Sequence, residues 1–176
     1  MRRSKTALAL LMAGLALVAC KSRTDAGAPP CPKVAVLADA SHLTVYRDGP
    51  GRDLTDVQFE ADLGRISGEC IYNRRSTNVK VDMKLVVSAL RGPADRNRVA
   101  SYAYFVAIVD NKGSVLARQE FTSQVQFPGD QSRVATLEEL EQTIPIEKNQ
   151  PGSDFDVYVG FKLTPEQVER NRKRSE

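Results

Sequence analysis

VKVDMKLVV, Val79 to Val87, alternates apolar and polar side chains: Val79, Val81, Met83, Leu85 and Val87 share one parity, and Lys80, Asp82 and Lys84 share the other with Val86. Successive side chains of a strand point to opposite faces, so this pattern predicts a half-buried strand with Val86 turned toward solvent. The stretch is the clearest strand of the chain, and its neighbours repeat the pattern. Upstream, Val57, Phe59, Ala61 and Leu63 alternate with Gln58, Glu60 and Asp62. After Gly64, the run RISGECIY places Ile66, Gly68, Cys70 and Tyr72 on one face, which turns Cys70 inward. Two shorter strands precede these, around Val34 and Val36 and over Leu43–Tyr46, with the turn Asp48-Gly49-Pro50-Gly51 after them.

Downstream, the loop Arg91-Gly92-Pro93-Ala94-Asp95 leads to Tyr102–Val109, which is apolar on both faces and reads as a central strand. Asp110-Asn111-Lys112-Gly113 is a hairpin turn with a glycine available for positive φ. The chain returns over Val115–Phe127. The segment 136–146 supports two readings. Thr136 and Glu139 fit a helix capping box, with Leu137, Leu140 and Ile144 at helical spacing. Leu140, Ile144 and Ile146 also share one strand parity, and a strand from about Glu139 is the reading preferred. Phe155, Val157, Val159 and Phe161 form the last strand, with Tyr158 on the opposite parity and Gly160 marking a bulge or a close backbone approach. Eight or nine strands with short turns predict an all-β fold, an antiparallel β-sandwich of the immunoglobulin-like or fibronectin-like kind, over residues 31–164. Thr164-Pro165-Glu166-Gln167 is a helix start, but residues 165–176 lack an apolar stripe and are expected to form an exposed, charged, helical or disordered tail.

The first thirty residues are of another kind. Arg2, Arg3 and Lys5 precede an apolar run from Ala7 to Ala19, the layout of an export signal. Thirteen residues at about 1.5 Å each reach roughly 20 Å, short of the roughly 30 Å of a bilayer core. Leu17-Val18-Ala19-Cys20 resembles the lipobox of bacterial lipoproteins. The resemblance implies that residues 1–19 are a cleaved signal peptide, that Cys20 carries lipid, and that the protein is membrane-attached through acyl chains. Lys21 stands where an aspartate commonly retains such proteins in the inner membrane, which implies an outer-membrane location facing the periplasm. Residues 20–30 then form the lipidated cysteine and a flexible tether, stiffened by Pro29 and Pro30 and expected to hold the domain off the lipid.

Once Cys20 is lipidated, Cys31 and Cys70 remain as a pair in an oxidising compartment, which predicts a disulfide. The formal charge of +3 also changes meaning. The 25 basic residues less Arg2, Arg3 and Lys5 match the 22 acidic ones, so no basic excess remains to support nucleic-acid binding.

No residue pattern announces a reaction, a cofactor or a metal site. Ser41 and adjacent His42 point to opposite faces of a strand, and His42 is the only histidine. Glu60 and Asp62, and likewise Glu138, Glu139 and Glu141, read as solvated strand faces. Two arginine groups, Arg74 with Arg75 and Arg91 with Arg96 and Arg98, follow strands and are candidates to converge on an anionic glycan or head group. The tail bases Arg170, Arg172, Lys173 and Arg174 are candidates for an anionic membrane surface. Val86 and Tyr158 stand on outward parities and would form one contact patch if their strands share a sheet. GECIY, ALRGPAD, YAYFVAIVD and VYVGFKLT together resemble a group of exported lipoproteins of two-membrane bacteria that has no assigned activity. The expectation is a non-catalytic binding or assembly module for an envelope protein or polymer. The alternative is a glycan-binding or hydrolytic envelope domain that uses the arginine loops.

Overall fold

A computed structural model describes residues 29–175. The signal, the lipobox with Cys20 and most of the tether lie outside the described residues. The strands are β1 (Lys33–Val36), β2 (His42–Tyr46), β3 (Val57–Tyr72), β4 (Asn78–Arg91), β5 (Val99–Asp110), β6 (Val115–Gln126), β7 (Arg133–Pro145) and β8 (Phe155–Phe161), followed by the helix α1 (Pro165–Ser175). They form two four-stranded sheets packed face to face, a β-sandwich. Sheet A has the order β1-β8-β5-β6 and sheet B the order β2-β3-β4-β7. In sheet B, β2, β3 and β4 are consecutive neighbours and β7 closes the order. All pairs are antiparallel except β1 with β8, which run parallel, a departure from the purely antiparallel expectation.

The opening stretch behaves as its parity requires. Val79, Val81, Met83, Leu85 and Val87 are buried between the sheets, opposite Val106, Val157, Val159 and Phe161 from sheet A. The two apolar registers of β3 are joined within one 16-residue strand. A bulge at Gly64 and Arg65, between the pairs Leu63↔Val87 and Ile66↔Leu85, switches the inward parity from odd to even. An extra residue inserted on one strand does this, and both halves keep their apolar side chains in the core.

The segment 136–146 is strand. β7 pairs with β4 along its whole length, from Asn78↔Pro145 to Leu90↔Arg133. A 14-residue strand with an open edge outweighs the local capping-box signal, because every helical residue there would leave a ladder position of β4 unpaired.

β1 and β2 act as one edge that changes sheets. β1 covers the lower half of β8, the chain crosses through the short 3₁₀ turn Ala38–Ala40, and β2 covers the upper half of β3. Gly160 permits this crossing: a Cβ there would lie 2.8 Å from the Ala40 Cβ and 3.0 Å from the Phe105 ring, so it marks a close approach. The hairpin at Gly113 has φ +83°, the conformation the sequence reserved for glycine.

The C-terminal segment is the helix that its start signal predicts, but it is docked instead of free. Thr164 and Gln167 make a reciprocal cap, at 3.3 Å and 2.8 Å, and α1 then docks on the 3₁₀ turn and β2. Its anchor is polar: Asn171 is buried, and its Nδ2 donates to the carbonyls of Asp39 (2.9 Å) and His42 (2.8 Å). The missing apolar stripe therefore did not mean a free tail.

Candidate functional site

Val86 lies directly opposite Leu137 across the β4–β7 ladder. Both project from the outer face of sheet B, 37% and 52% exposed. Charged pairs line the ladder on one side of them: Lys84 with Glu139 across the strands at 3.9 Å, and farther along Lys80 with its strand neighbour Asp82 at 3.0 Å and with Glu141 across the ladder at 3.2 Å. The two carboxylates raise the Lys80 ammonium above its ordinary value, by hydrogen bonding first and then by their charge. Beside the apolar pair an open cleft of about 470 Å³ is lined by Ser67, Glu69, Asp82, Lys84, Glu139 and Glu141, with backbone of Gly68. β7 ends its sheet, so the main-chain groups on its outer side have no neighbouring strand. This face offers an apolar centre, a polar rim and an edge for strand addition.

Tyr158 does not belong to it. β8 is in sheet A, and the Tyr158 hydroxyl donates to Asp156 at 3.0 Å. Val86 and Tyr158 therefore occupy opposite outer faces, and the patch that would have joined them does not form. Leu137 is the partner the sequence reading overlooked.

The arginine groups do not converge either. Arg74 and Arg75 sit in the turn before β4, and Arg91 ends β4. Thirteen steps of about 3.3 Å separate these ends by roughly 43 Å. At the far end the arginines are largely committed to structure. The Arg91 Nε donates to Asp95 at 2.7 Å, and the Arg98 Nε to the Phe127 carbonyl at 3.1 Å. Arg96 remains exposed, beside an open cleft of about 460 Å³ shared with Arg47, Asp48, Gln58 and Asp95. Three of the four tail bases are also engaged: Arg170 with Glu166, Arg172 with Asp39 and Lys173 with Glu169.

Two polar clusters were not expected. In the first, Glu138 faces into the sandwich instead of solvent. It accepts hydrogen bonds from Tyr102 (3.0 Å), Tyr104 (3.4 Å) and Ser123 (2.7 Å). Burial, reinforced by the Glu138 charge, raises the Tyr104 hydroxyl to about 12, and burial likewise raises Tyr102. These hydroxyls stay protonated donors, which suits a structural network that ties the β5–β6 hairpin to β7. In the second, His42 Nδ1 is 2.7 Å from Asp62 Oδ1, and Nε2 is 3.1 Å from Thr44 Oγ1 and 3.8 Å from Glu60 Oε1. The cluster floors a cleft of about 230 Å³ that α1 closes with Gln167, Arg170 and Arg174. Counting by twos from His42 shows that Thr44 shares its face; the β2–β3 register that adds Asp62 and Glu60 is not visible in sequence.

Cys31 and Cys70 are joined, with Cα atoms 5.7 Å apart. Among the described residues no group of three His, Cys, Asp or Glu is arranged to hold a metal ion, and no helix is long and apolar enough to cross a membrane. Comparison with protein-family models, with curated proteins and with solved structures finds no match to this chain.

Proposed function

We propose that this protein is a lipid-anchored component of the bacterial cell envelope, attached through Cys20 and facing the periplasm from the outer membrane. In this reading its sandwich is a non-catalytic binding or assembly module. The partner, an envelope protein or polymer, docks on sheet B over Val86 and Leu137 and along the free edge of β7. The observation that carries the reading is the exposed Val86–Leu137 pair on the strand pair that ends its sheet. Apolar contact at the centre of such a surface supplies affinity, and the Lys84–Glu139 rim supplies orientation. The test is crosslinking in living cells with Val86→Ser combined with Leu137→Lys, after melting has confirmed that the variant folds. Loss of the wild-type crosslinks is expected, and an unchanged set refutes the surface. Anchoring is tested separately by Cys20→Ser, which should release the chain from the membrane fraction.

A second reading, a hydrolytic domain, rests on the carboxylate–imidazole–hydroxyl series of Asp62, His42 and Thr44. It requires a covalent adduct on Thr44 that disappears in His42→Gln.

A further inference from the structure

The tether leaves the sandwich at a defined end. The Tyr72 hydroxyl donates to the Pro30 carbonyl at 2.6 Å and accepts from the Gly152 amide at 2.7 Å, and the Cys31–Cys70 bond lies beside them. Three connections share this end: the β3–β4 turn at 73–77, the β5–β6 turn at 111–114 and the β7–β8 connection at 146–154. The first two, with residues 146–151 of the third, hold Arg74, Arg75, Lys112 and Lys148 against one carboxylate, Glu147. None of the four bases forms a salt bridge among the described residues. At the opposite end Arg47 pairs with Asp56 and Arg91 with Asp95, while Arg52 and Arg96 form no salt bridge among the described residues. Two other carboxylates border the tether end, Asp110 and Asp154. That of Asp110 is turned into its own hairpin, where it accepts from the Lys112 and Ser114 amides.

Apolar side chains flank the same end. Ile71 at the end of β3 is 60% exposed, and Val115 and Leu116 at the start of β6 are 62% and 53% exposed. These are three of the six large hydrophobic residues exposed in the described structure. They stand on both sheets around the unpaired bases. Bases ringed by exposed aliphatic side chains are the chemistry that adheres to an anionic lipid surface, where apolar groups enter the interface and ammonium or guanidinium groups meet head-group phosphates.

We propose that the tether end of the sandwich is a membrane-docking face for anionic phospholipid, so that the domain sits against the bilayer that holds its anchor. This rests on the lipid-anchor reading. Residues 20–29 span at most about 35 Å, a length that lets the face reach the surface, and the chain runs from this end toward Cys20. The expected consequence is an upright domain, with the far loops and the outer face of sheet B turned to the periplasm.

The chain contains no tryptophan, so single reporters can be placed cleanly. The lipidated protein carrying Val115→Trp, and separately Leu54→Trp at the opposite end, is reconstituted into vesicles of phosphatidylethanolamine with phosphatidylglycerol, or into neutral phosphatidylcholine. Quenching by brominated acyl chains is then read. Quenching is expected for Val115→Trp in anionic vesicles and not for Leu54→Trp. It should fall with salt and with Arg74→Glu, Arg75→Glu and Lys112→Glu, at about fivefold in surface partition for each charge removed. Equal quenching at the two positions overturns the proposal, as does quenching indifferent to lipid charge and to the three reversals. Intact mass shows whether Cys20 carries acyl chains. If it does not, the anchor reading fails and the same chains are added to the vesicles from solution. Selective binding to anionic vesicles then still supports the face, and no binding overturns it.

Discussion

Replacing Cys31 and Cys70 together by serine should lower the melting temperature by roughly 8–16 °C. The two cysteines are 39 positions apart, and closing a loop of that length removes about 4 kcal/mol of denatured-state entropy in the chain-entropy model. For a domain of this size about 1 kcal/mol corresponds to about 2–4 °C. The structure also says where the loss will appear. β1 pairs with β8 through only four residues and has no other ladder. Beyond that ladder it is held by Val34 and Val36 packed on the core, by the Leu37 amide donating to the Val159 carbonyl at 2.9 Å, and by the Tyr72–Pro30 hydrogen bond just before it. Without the cross-link, β1 should open ahead of the rest, so the amides of β1 exchange faster while those of β4 and β5 change only with global stability. Thermal melting by circular dichroism and hydrogen exchange by mass spectrometry read the two effects. A fall below about 3 °C, with β1 exchange unchanged, would show that the bond constrains neither the unfolded chain nor the edge.

Gly92→Ala should destabilise the domain by about 1–3 kcal/mol in a denaturant titration, since its Cβ would lie 2.1 Å from the Val57 carbonyl oxygen, a backbone atom that cannot swing aside. Glu138→Leu should cost about 1–3 kcal/mol by stranding the hydroxyls of Tyr102, Tyr104 and Ser123, while Glu138→Gln, which keeps acceptor capacity, should cost less; equal losses would contradict the network. Burial pushes the Asp95 carboxyl up, but hydrogen bonds from Arg91 and from the Asn97 and Arg98 amides together hold it below the ordinary carboxylate range. A lowered folded value contributes stability above about pH 4 that is lost as the pH falls through it. Asp95→Asn should therefore melt lower than wild type at neutral pH, and the difference should shrink on acidification below about pH 4; a constant difference would refute the assignment.

Most of the sandwich is written in residue parity. The odd-to-even switch in β3 is visible as Leu63 passes to Ile66, and Gly64 marks the bulge that performs it. β7 was ambiguous because Leu137, Leu140 and Ile144 satisfy a helical period while Leu140, Ile144 and Ile146 share one strand parity. Only the unpaired length of β4 decides between them, and that is a long-range fact. Leu137 then becomes the outward neighbour of Val86, whereas helical spacing had counted it as core. Glu138 was hidden for the same reason: its inward parity has meaning only once the segment is a strand. The separation of the arginine groups was legible, since Arg74 and Arg75 precede the Val79–Val87 strand and Arg91 follows it. The docking of α1 was not, because Asn171 finds backbone acceptors whose positions no periodicity records.

The pairing of β1 with β8 has a temporal consequence. A chain that emerges from its N-terminus presents Lys33–Val36 more than a hundred residues before Phe155–Phe161, the strand with which it pairs. Cys70 arrives much sooner. The cross-link to Cys31 can hold the opening segment against β3 while its ladder partner is still absent, so an oxidant acting early serves as a placeholder for the last strand. A nascent chain kept reduced until its final residues appear must instead find that pairing by an unaided long-range search, the slowest kind of closure available to a β fold.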